Sequence, residues 1–436
     1  MKQVAFYTFG CKLNQYETAV LSELFIKHEY EVVNFSKSSD IYIINSCSVT
    51  NKADYKAREF IRKARKNNPD AIFIIIGCSV ENYPEKFDKL DFIDYLIGTG
   101  DKLQFFLENI ETLQKNSSTV FINKHEPEFN KPEDFALSKF LNHTRAFLKI
   151  QDGCNYACTY CAVRLARGRS RSKPVSNIIE EINNLISNGY KEIVLTGVNL
   201  GLYGLDLNQK LNFAELLKVI LSKTDIKRLR ISSIDPEDVN DDLIEIFKKF
   251  PDRLCRHLHI SIQSLSDKIL VSMKRRNSVN DIINLIAKLK KESPEINIGG
   301  DIIVGFPGET EELFLKTLNT LKNIDINYLH IFPYSRREKT IAADLPDQVN
   351  GEEKIRRVKI LRKLNQEKKD NFSNRFTNFK LNFLIENRLS KSGNLIGISD
   401  NYLSVEFNST NKEYFNQVVE GVIISINPLK GKLFSH

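Results

Sequence analysis

Short β-prone runs alternate with helix-period stretches along most of this 436-residue chain, and that alternation constrains its fold more than any other feature. Residues 4–10, 41–46 and 72–77 are apolar and β-prone, with helical stretches at about 16–28 and 54–67 between them. Strands joined through helices pair in parallel, so residues 1–125 are expected to form a Rossmann-like parallel sheet. Six more strand candidates follow at 145–150, 192–196, 228–232, 257–262, 297–304 and 328–333. Helix candidates at 177–188, 212–222, 241–249, 279–292 and 311–322 separate them. This pattern predicts a partial (β/α)6 barrel of the TIM type and an α/β class overall. Reactive groups in both architectures gather at the carboxyl ends of the strands. Those ends carry Cys11, Cys47 and Cys78 in the first sheet, and Cys154, Gly197, Asn199, Ser233, Gln263 and Gly305 in the barrel.

A cysteine closing a strand is often only a small buried residue. Three closing three strands predict thiolates that converge on a metal cluster. The glycine-bearing loops at 196–201 and 299–309 read equally as close-approach sites for a ligand or as plain turns. No G-x-G-x-x-G accompanies Gly10 or Gly77, which disfavours a dinucleotide site.

The segment Asp152-Gly153-Cys154-Asn155-Tyr156-Ala157-Cys158-Thr159-Tyr160-Cys161 adds a C-x3-C-x2-C run. It puts three soft ligands on one tight loop. A 4Fe-4S cluster usually takes four thiolates, so three would leave one iron open to another ligand. A zinc site or three unrelated thiols is the competing reading. Arg164, Arg167, Arg169, Arg171 and Lys173 crowd behind the third cysteine, which suits an anionic substrate as well as a solvated loop. Cys255 has no neighbouring cysteine in sequence and reads as a structural thiol.

Seven cysteines, an odd number, fit ligands in a reducing compartment better than disulfides. The longest apolar runs fall far short of a bilayer span and the start lacks a signal-peptide core, so a cytoplasmic protein without a membrane partner is expected. The net charge of +8 permits a nucleic-acid partner without requiring one. Residues 126–141 are polar with two prolines and read as a linker, and 352–376 read as a charged helix leaving the barrel. Short runs at 381–385, 394–398, 403–407 and 419–426 predict a small antiparallel barrel, a form that often binds oligonucleotides.

Together these features resemble the radical S-adenosylmethionine (SAM) methylthiotransferases along essentially the full chain. Thr8-Phe9-Gly10-Cys11-Lys12-Leu13-Asn14-Gln15-Tyr16-Glu17-Thr18, Asn45-Ser46-Cys47-Ser48-Val49-Thr50 and Gly77-Cys78 match the signatures of the family's N-terminal domain. The C-x3-C-x2-C run matches its SAM-cleaving loop, and Phe332-Pro333-Tyr334-Ser335 resembles the motif closing its barrel. The resemblance implies an N-terminal domain over 1–125, a linker over 126–141, a radical-SAM core over 142–370 and an RNA-binding TRAM barrel over 371–436. It implies two 4Fe-4S clusters. Cys154, Cys158 and Cys161 would hold the catalytic one, whose open iron binds SAM for cleavage to a 5′-deoxyadenosyl radical. Cys11, Cys47 and Cys78 would hold an auxiliary one. Tyr160, Gly197, Asn199, Ser233, Gln263 and Gly305 would line the SAM site.

Cys11-Lys12-Leu13-Asn14-Gln15 and the arginine-rich residues 166–172 resemble the branch acting on N6-threonylcarbamoyladenosine in tRNA. The implied reaction places sulfur and methyl at C2 of the adenine, with flavodoxin or ferredoxin as electron donor, tRNA as partner and no DNA. The carboxylate of that nucleoside makes Arg167 and Arg169 candidate substrate contacts. Ser264-Leu265-Ser266 and Ser335-Arg336-Arg337-Glu338 depart from the commonest family forms. Methylthiolation of isopentenyladenosine or of a ribosomal-protein aspartate, and a non-catalytic iron–sulfur RNA-binding or redox-sensing protein, are the alternatives.

Overall fold

The computed structural model describes residues 1–48, 51–87, 90, 92–100, 102–122, 137–140, 143–208 and 211–434. Most of the expected linker over 126–141 lies outside the described residues, as do Val49 and Thr50 of the second signature. Its last part does not behave as a free tether: Leu137 and Phe140 are buried in the main core, and the Tyr190 hydroxyl donates to the Phe140 carbonyl at 2.8 Å.

The N-terminal strands are β1 (Gln3–Thr8), β2 (Glu31–Val33), β3 (Ile41–Ser46), β4 (Ile72–Gly77), β5 (Tyr95–Ile97) and β6 (Thr119–Phe121). They form one wholly parallel sheet in the order β2-β1-β3-β4-β5-β6. β3 is buried along its length, and β4 is buried beyond its first residue. Their unbroken apolar runs follow, because helices cover both faces of a parallel sheet. The helices Lys12–Lys27 and Asn51–Asn67 begin four and three residues before the starts expected from the period. Helix ends are the least legible part of the periodic pattern.

The central strands are β7 (Ala146–Lys149), β8 (Gln151–Asp152), β9 (Arg171–Ser172), β10 (Glu192–Thr196), β11 (Arg228–Ile231), β12 (Ser233–Ile234), β13 (His257–Gln263), β14 (Asn297–Val304) and β15 (Tyr328–Pro333). β11 and β12 are one strand position interrupted at Ser232, so the six expected positions are all occupied. β11-β10-β7 and β12-β13-β14-β15 are parallel throughout, and β8 and β9 form a short antiparallel ribbon. Outward residues such as Ile193, Leu195, Leu229, Ile231, Leu258 and Ile260 share one core with helical Ile182, Leu217, Leu243 and Ile286. Alternation then turns Glu192, Arg228, Arg230, His257 and His259 into the lumen.

The helix Gly351–Asn374 leads into β16 (Lys380–Leu389), β17 (Leu395–Ser399), β18 (Ser404–Phe407), β19 (Val418–Ile426) and β20 (Leu429–Leu433). These close into a barrel in the order β16-β17-β18-β20-β19. The expectation of a purely antiparallel barrel needs one correction, because β18 pairs with β20 in parallel. β20 itself escapes sequence patterning, since Leu429-Lys430-Gly431-Lys432-Leu433 has no apolar run.

The small barrel closes the amino-terminal mouth of the central one. Arg230 donates to the carbonyls of Asp400 at 2.8 Å and Ser399 at 3.1 Å, and Arg228 donates to that of Ile398 at 3.0 Å. Both guanidinium groups also grip Glu192, at 2.7 and 2.8 Å. Burial alone would raise the Glu192 carboxyl, but Arg230 and Arg228 outweigh it and bring it down to about 2.

Candidate functional site

Cys11, Cys47 and Cys78 converge because β1, β3 and β4 are neighbours and end together. Register pairs Thr8 with Asn45 and Ser46 with Gly77, so Cys47 and Cys78 leave adjacent strands side by side. Gly10 and Gly77 turn the chain sharply, with φ of 104° and 102°. A Cβ on Gly10 would stand 2.7 Å from the Cys47 Cβ and 2.9 Å from its Sγ, so only glycine lets the Cys11 loop close over Cys47. Cys11 caps the helix Lys12–Lys27, and Cys78 opens the short helix Cys78–Asn82. Cys11 is exposed while Cys47 and Cys78 are buried.

Cys154, Cys158 and Cys161 share the loop after β8. The Cys154 Sγ accepts the Tyr156 N–H at 3.4 Å, and the Cys161 sulfur accepts the backbone N–H groups of Val163 and Arg164. Arg275 approaches the Cys158 Sγ at 3.9 Å. Burial pushes the Cys154 thiol up to about 11 and raises those of Cys161 and Cys78. A coordinated metal deprotonates its thiols outright, and amide donors and a guanidinium then suit the resulting thiolates. Two sets of three soft ligands, each on a tight backbone frame, fit iron–sulfur clusters.

A buried ion network joins the two sets. Arg167 donates to Glu17 Oε1 at 2.8 Å, to both Asp152 carboxylate oxygens at 3.0 Å and to Asn14 Oδ1 at 2.8 Å. Lys102 pairs with Glu17 at 2.6 Å, and Lys149 pairs with Glu17 at 3.4 Å and Asp152 at 3.2 Å. Asn14 donates to the Ser46 carbonyl at 3.0 Å and lies 3.8 Å from the Cys11 Sγ. Asp152 stands two residues before Cys154. A second link runs from Asn82, at the end of the Cys78 helix, to the Ala162 carbonyl beside Cys161, at 2.9 Å. Burial would raise Glu17, but Arg167, Lys102 and Lys149 hold it well below the usual carboxylate range.

This placement redirects one expectation. Arg167 is buried and both of its terminal guanidinium nitrogens are bonded to Asn14, Glu17 and Asp152, so it organises the junction. Arg169 is exposed on the same loop. The other expected residues sit at the barrel rim. The Asn199 N–H donates to Gln151 at 2.9 Å and its side chain to Asp235 at 3.2 Å. A Cβ on Gly197 would crowd Gln151 Oε1 at 2.8 Å. Gln263 takes a left-handed φ of 69°, and Ser233 lines a lumen cavity. The Tyr160 ring meets Phe306 edge-on at 6.5 Å. Gly305 serves its own turn: its N–H donates to Glu309 at 2.6 Å, and Lys354 fills the place of a Cβ. Arg275 and Asp235, paired at 3.0 Å between the cysteine loop and β13, were missed. Their only trace in the sequence is a charged residue after a strand and a basic triplet.

Residues 148–321 match the radical SAM superfamily, and residues 3–98 match the uncharacterized protein family UPF0004. The chain is 37% identical to the threonylcarbamoyladenosine tRNA methylthiotransferase MtaB of Bacillus subtilis, over 94% of this chain and 91% of that one. It belongs to the radical-SAM methylthiotransferases. The MtaB of Thermotoga maritima is 38% identical, over 93% and 92% of the two chains. The tRNA-2-methylthio-N(6)-dimethylallyladenosine synthase of Clostridium tetani is 34% identical, over 95% and 92%. Among solved structures, the radical SAM methyltransferase TsrM of Kitasatospora setae shares the fold, with a TM-score of 0.55, 15% identity and coverage of 78% and 77%. As a radical-SAM methylthiotransferase, the chain uses SAM and 4Fe-4S clusters.

Proposed function

We propose that this chain methylthiolates C2 of N6-threonylcarbamoyladenosine at position 37 of tRNA, giving 2-methylthio-N6-threonylcarbamoyladenosine. The observation that carries the reading is the pair of cysteine triads at the carboxyl ends of two parallel sheets, held against each other by one buried network. A redox sensor needs one cluster, whereas this reaction needs two. Cys154, Cys158 and Cys161 would hold the cluster that binds SAM, and Cys11, Cys47 and Cys78 the auxiliary one. Bound there, these groups supply the one-electron chemistry that an unactivated C2–H demands.

The chain's own work is positional. Tyr160, Gly197, Asn199, Ser233 and Gln263 border SAM at the barrel rim, and Arg169 faces the RNA. The domains run as 1–125, 142–370 and 371–436, with the last one gripping tRNA whose target base is splayed from its stack. Electrons come from a flavodoxin or ferredoxin in the cytoplasm. No described helix is long and apolar enough to cross a membrane. The choice of nucleoside is supported by the MtaB relatives of B. subtilis and T. maritima, which are more similar than the dimethylallyladenosine synthase of C. tetani.

The test is mass spectrometry of tRNA nucleosides from cells with and without the gene. The 2-methylthio form of threonylcarbamoyladenosine is expected to vanish without it and the unthiolated form to accumulate. An unchanged profile for that nucleoside would refute the proposal.

A further inference from the structure

A cavity of about 50 Å³ occupies the central lumen, reaching from Ser232 and Ser233 near the strands' carboxyl ends down to Tyr402 of the small barrel. Lys12, Arg145 and Arg230 line it, and among the described residues no carboxylate does. The nearby acids are engaged. Glu192 is bound by Arg228 and Arg230 and reached by Arg145 at 3.8 Å, and Arg145 also lies 3.8 Å from Glu386. Asp301 lies 2.9 Å from His259 Nε2 and 3.4 Å from His330 Nδ1, which leaves Lys12 as the cation of this cavity without a carboxylate partner among the described residues. The Lys12 side chain makes no hydrogen bond or ion pair among the described residues. His257 is 4% exposed and donates to or accepts from the Tyr328 hydroxyl through Nε2 at 2.7 Å, while its Nδ1 has no partner. Arg145 and Arg230 stack on Tyr402, at 5.6 and 4.9 Å. A buried polar atom without a partner and an unpaired cation in one cavity are costly unless something fills it.

We infer that this cavity, with Lys12 and Arg145 as its contacts, receives a carboxylate carried by the substrate base. The inference rests on the threonylcarbamoyl reading and gives the role first expected of Arg167 to one residue of the N-terminal domain and one of the barrel. Lys12 follows Cys11 directly, so the arm of a base presented between the triads enters the lumen beside it. Arg230, Ser232, His257, His259 and Tyr328 in its lining are buried, and a charge-assisted contact discriminates most strongly away from solvent. A neutral apolar arm would leave Lys12 unpaired.

The experiment measures binding of the reconstituted full chain to anticodon stem–loops by fluorescence anisotropy. The loops carry threonylcarbamoyladenosine, its carboxyl methyl ester or unmodified adenosine. The acid is expected to bind at least about tenfold tighter than the ester. Lys12→Met should erase that difference and Lys12→Arg retain it, with iron content and affinity for the unmodified loop unchanged. Undiminished preference in Lys12→Met, or equal affinity of the unaltered chain for acid and ester, overturns the assignment. An equal loss on the unmodified loop also overturns it, because the anion would then be a backbone phosphate. If Lys12→Met fails to fold, the acid–ester comparison in the unaltered chain decides. Turnover is scored on the same acid loop: methylthiolation with no acid–ester difference leaves the proposed function standing and the pocket refuted, and no methylthiolation refutes the function itself.

Discussion

Replacing Cys158 with alanine is expected to remove about half of the roughly eight irons that two 4Fe-4S clusters contribute, and to abolish SAM cleavage. The sulfur sits in a loop already framed by the N–H groups of Tyr156, Val163 and Arg164, with Arg275 at 3.9 Å, so its loss removes a ligand without dismantling the loop. The triple change Cys11/Cys47/Cys78→Ala should remove the other half and leave substrate-free SAM cleavage in place. The readouts are iron analysis and 5′-deoxyadenosine release after anaerobic reconstitution. Iron content untouched by the triple change would eliminate the auxiliary cluster.

Arg167→Ala should produce the largest loss of stability of any single change at the junction. It leaves Glu17 and Asp152, both buried, short of a partner they share, a class of change that costs about 3–5 kcal/mol. Lys102 and Lys149 remain to compensate part of the charge, which places the expectation at the lower end of that range. Arg167→Lys should recover some of it, because an ammonium restores the charge but cannot bridge Glu17, Asp152 and Asn14 together. Denaturant unfolding measures the effect. An Arg167→Ala protein of unchanged stability that discriminates poorly between acid and ester substrates would return Arg167 to the substrate site.

The residues differ in what they disclose before folding. Ile41–Ser46 and Ile72–Gly77 announce buried parallel strands, because a strand covered on both faces must be apolar throughout. The cysteines that close them mark the sheet edge where ligands gather. The six barrel strands are legible from their β-prone runs and their alternation with helix-period stretches. Arg167 is not: a run of arginines looks alike whether solvated, bound to RNA or buried, and its partners Glu17 and Asp152 lie 150 and 15 residues away. Lys12 reads as one of many lysines until the N-terminal helix is laid against the barrel. β20 hides because its pairing with β18 and β19, rather than its own composition, makes it a strand. Lumen charges such as Arg228, Arg230 and Glu192 sit at alternate strand positions, where a half-exposed strand would also be polar. Only closure of the mouth by Ile398, Ser399 and Asp400 shows that they are interior.

The most direct test offers the reconstituted chain a mixture of two anticodon stem–loops, one bearing threonylcarbamoyladenosine and the other isopentenyladenosine, with SAM, a sulfide source and a one-electron reductant. Mass spectrometry of the digested nucleosides then scores each product. The threonylcarbamoyl nucleoside is expected to gain sulfur and methyl while the isopentenyl one stays unchanged. Methylthiolation of the isopentenyl form at a comparable or higher rate would contradict the account.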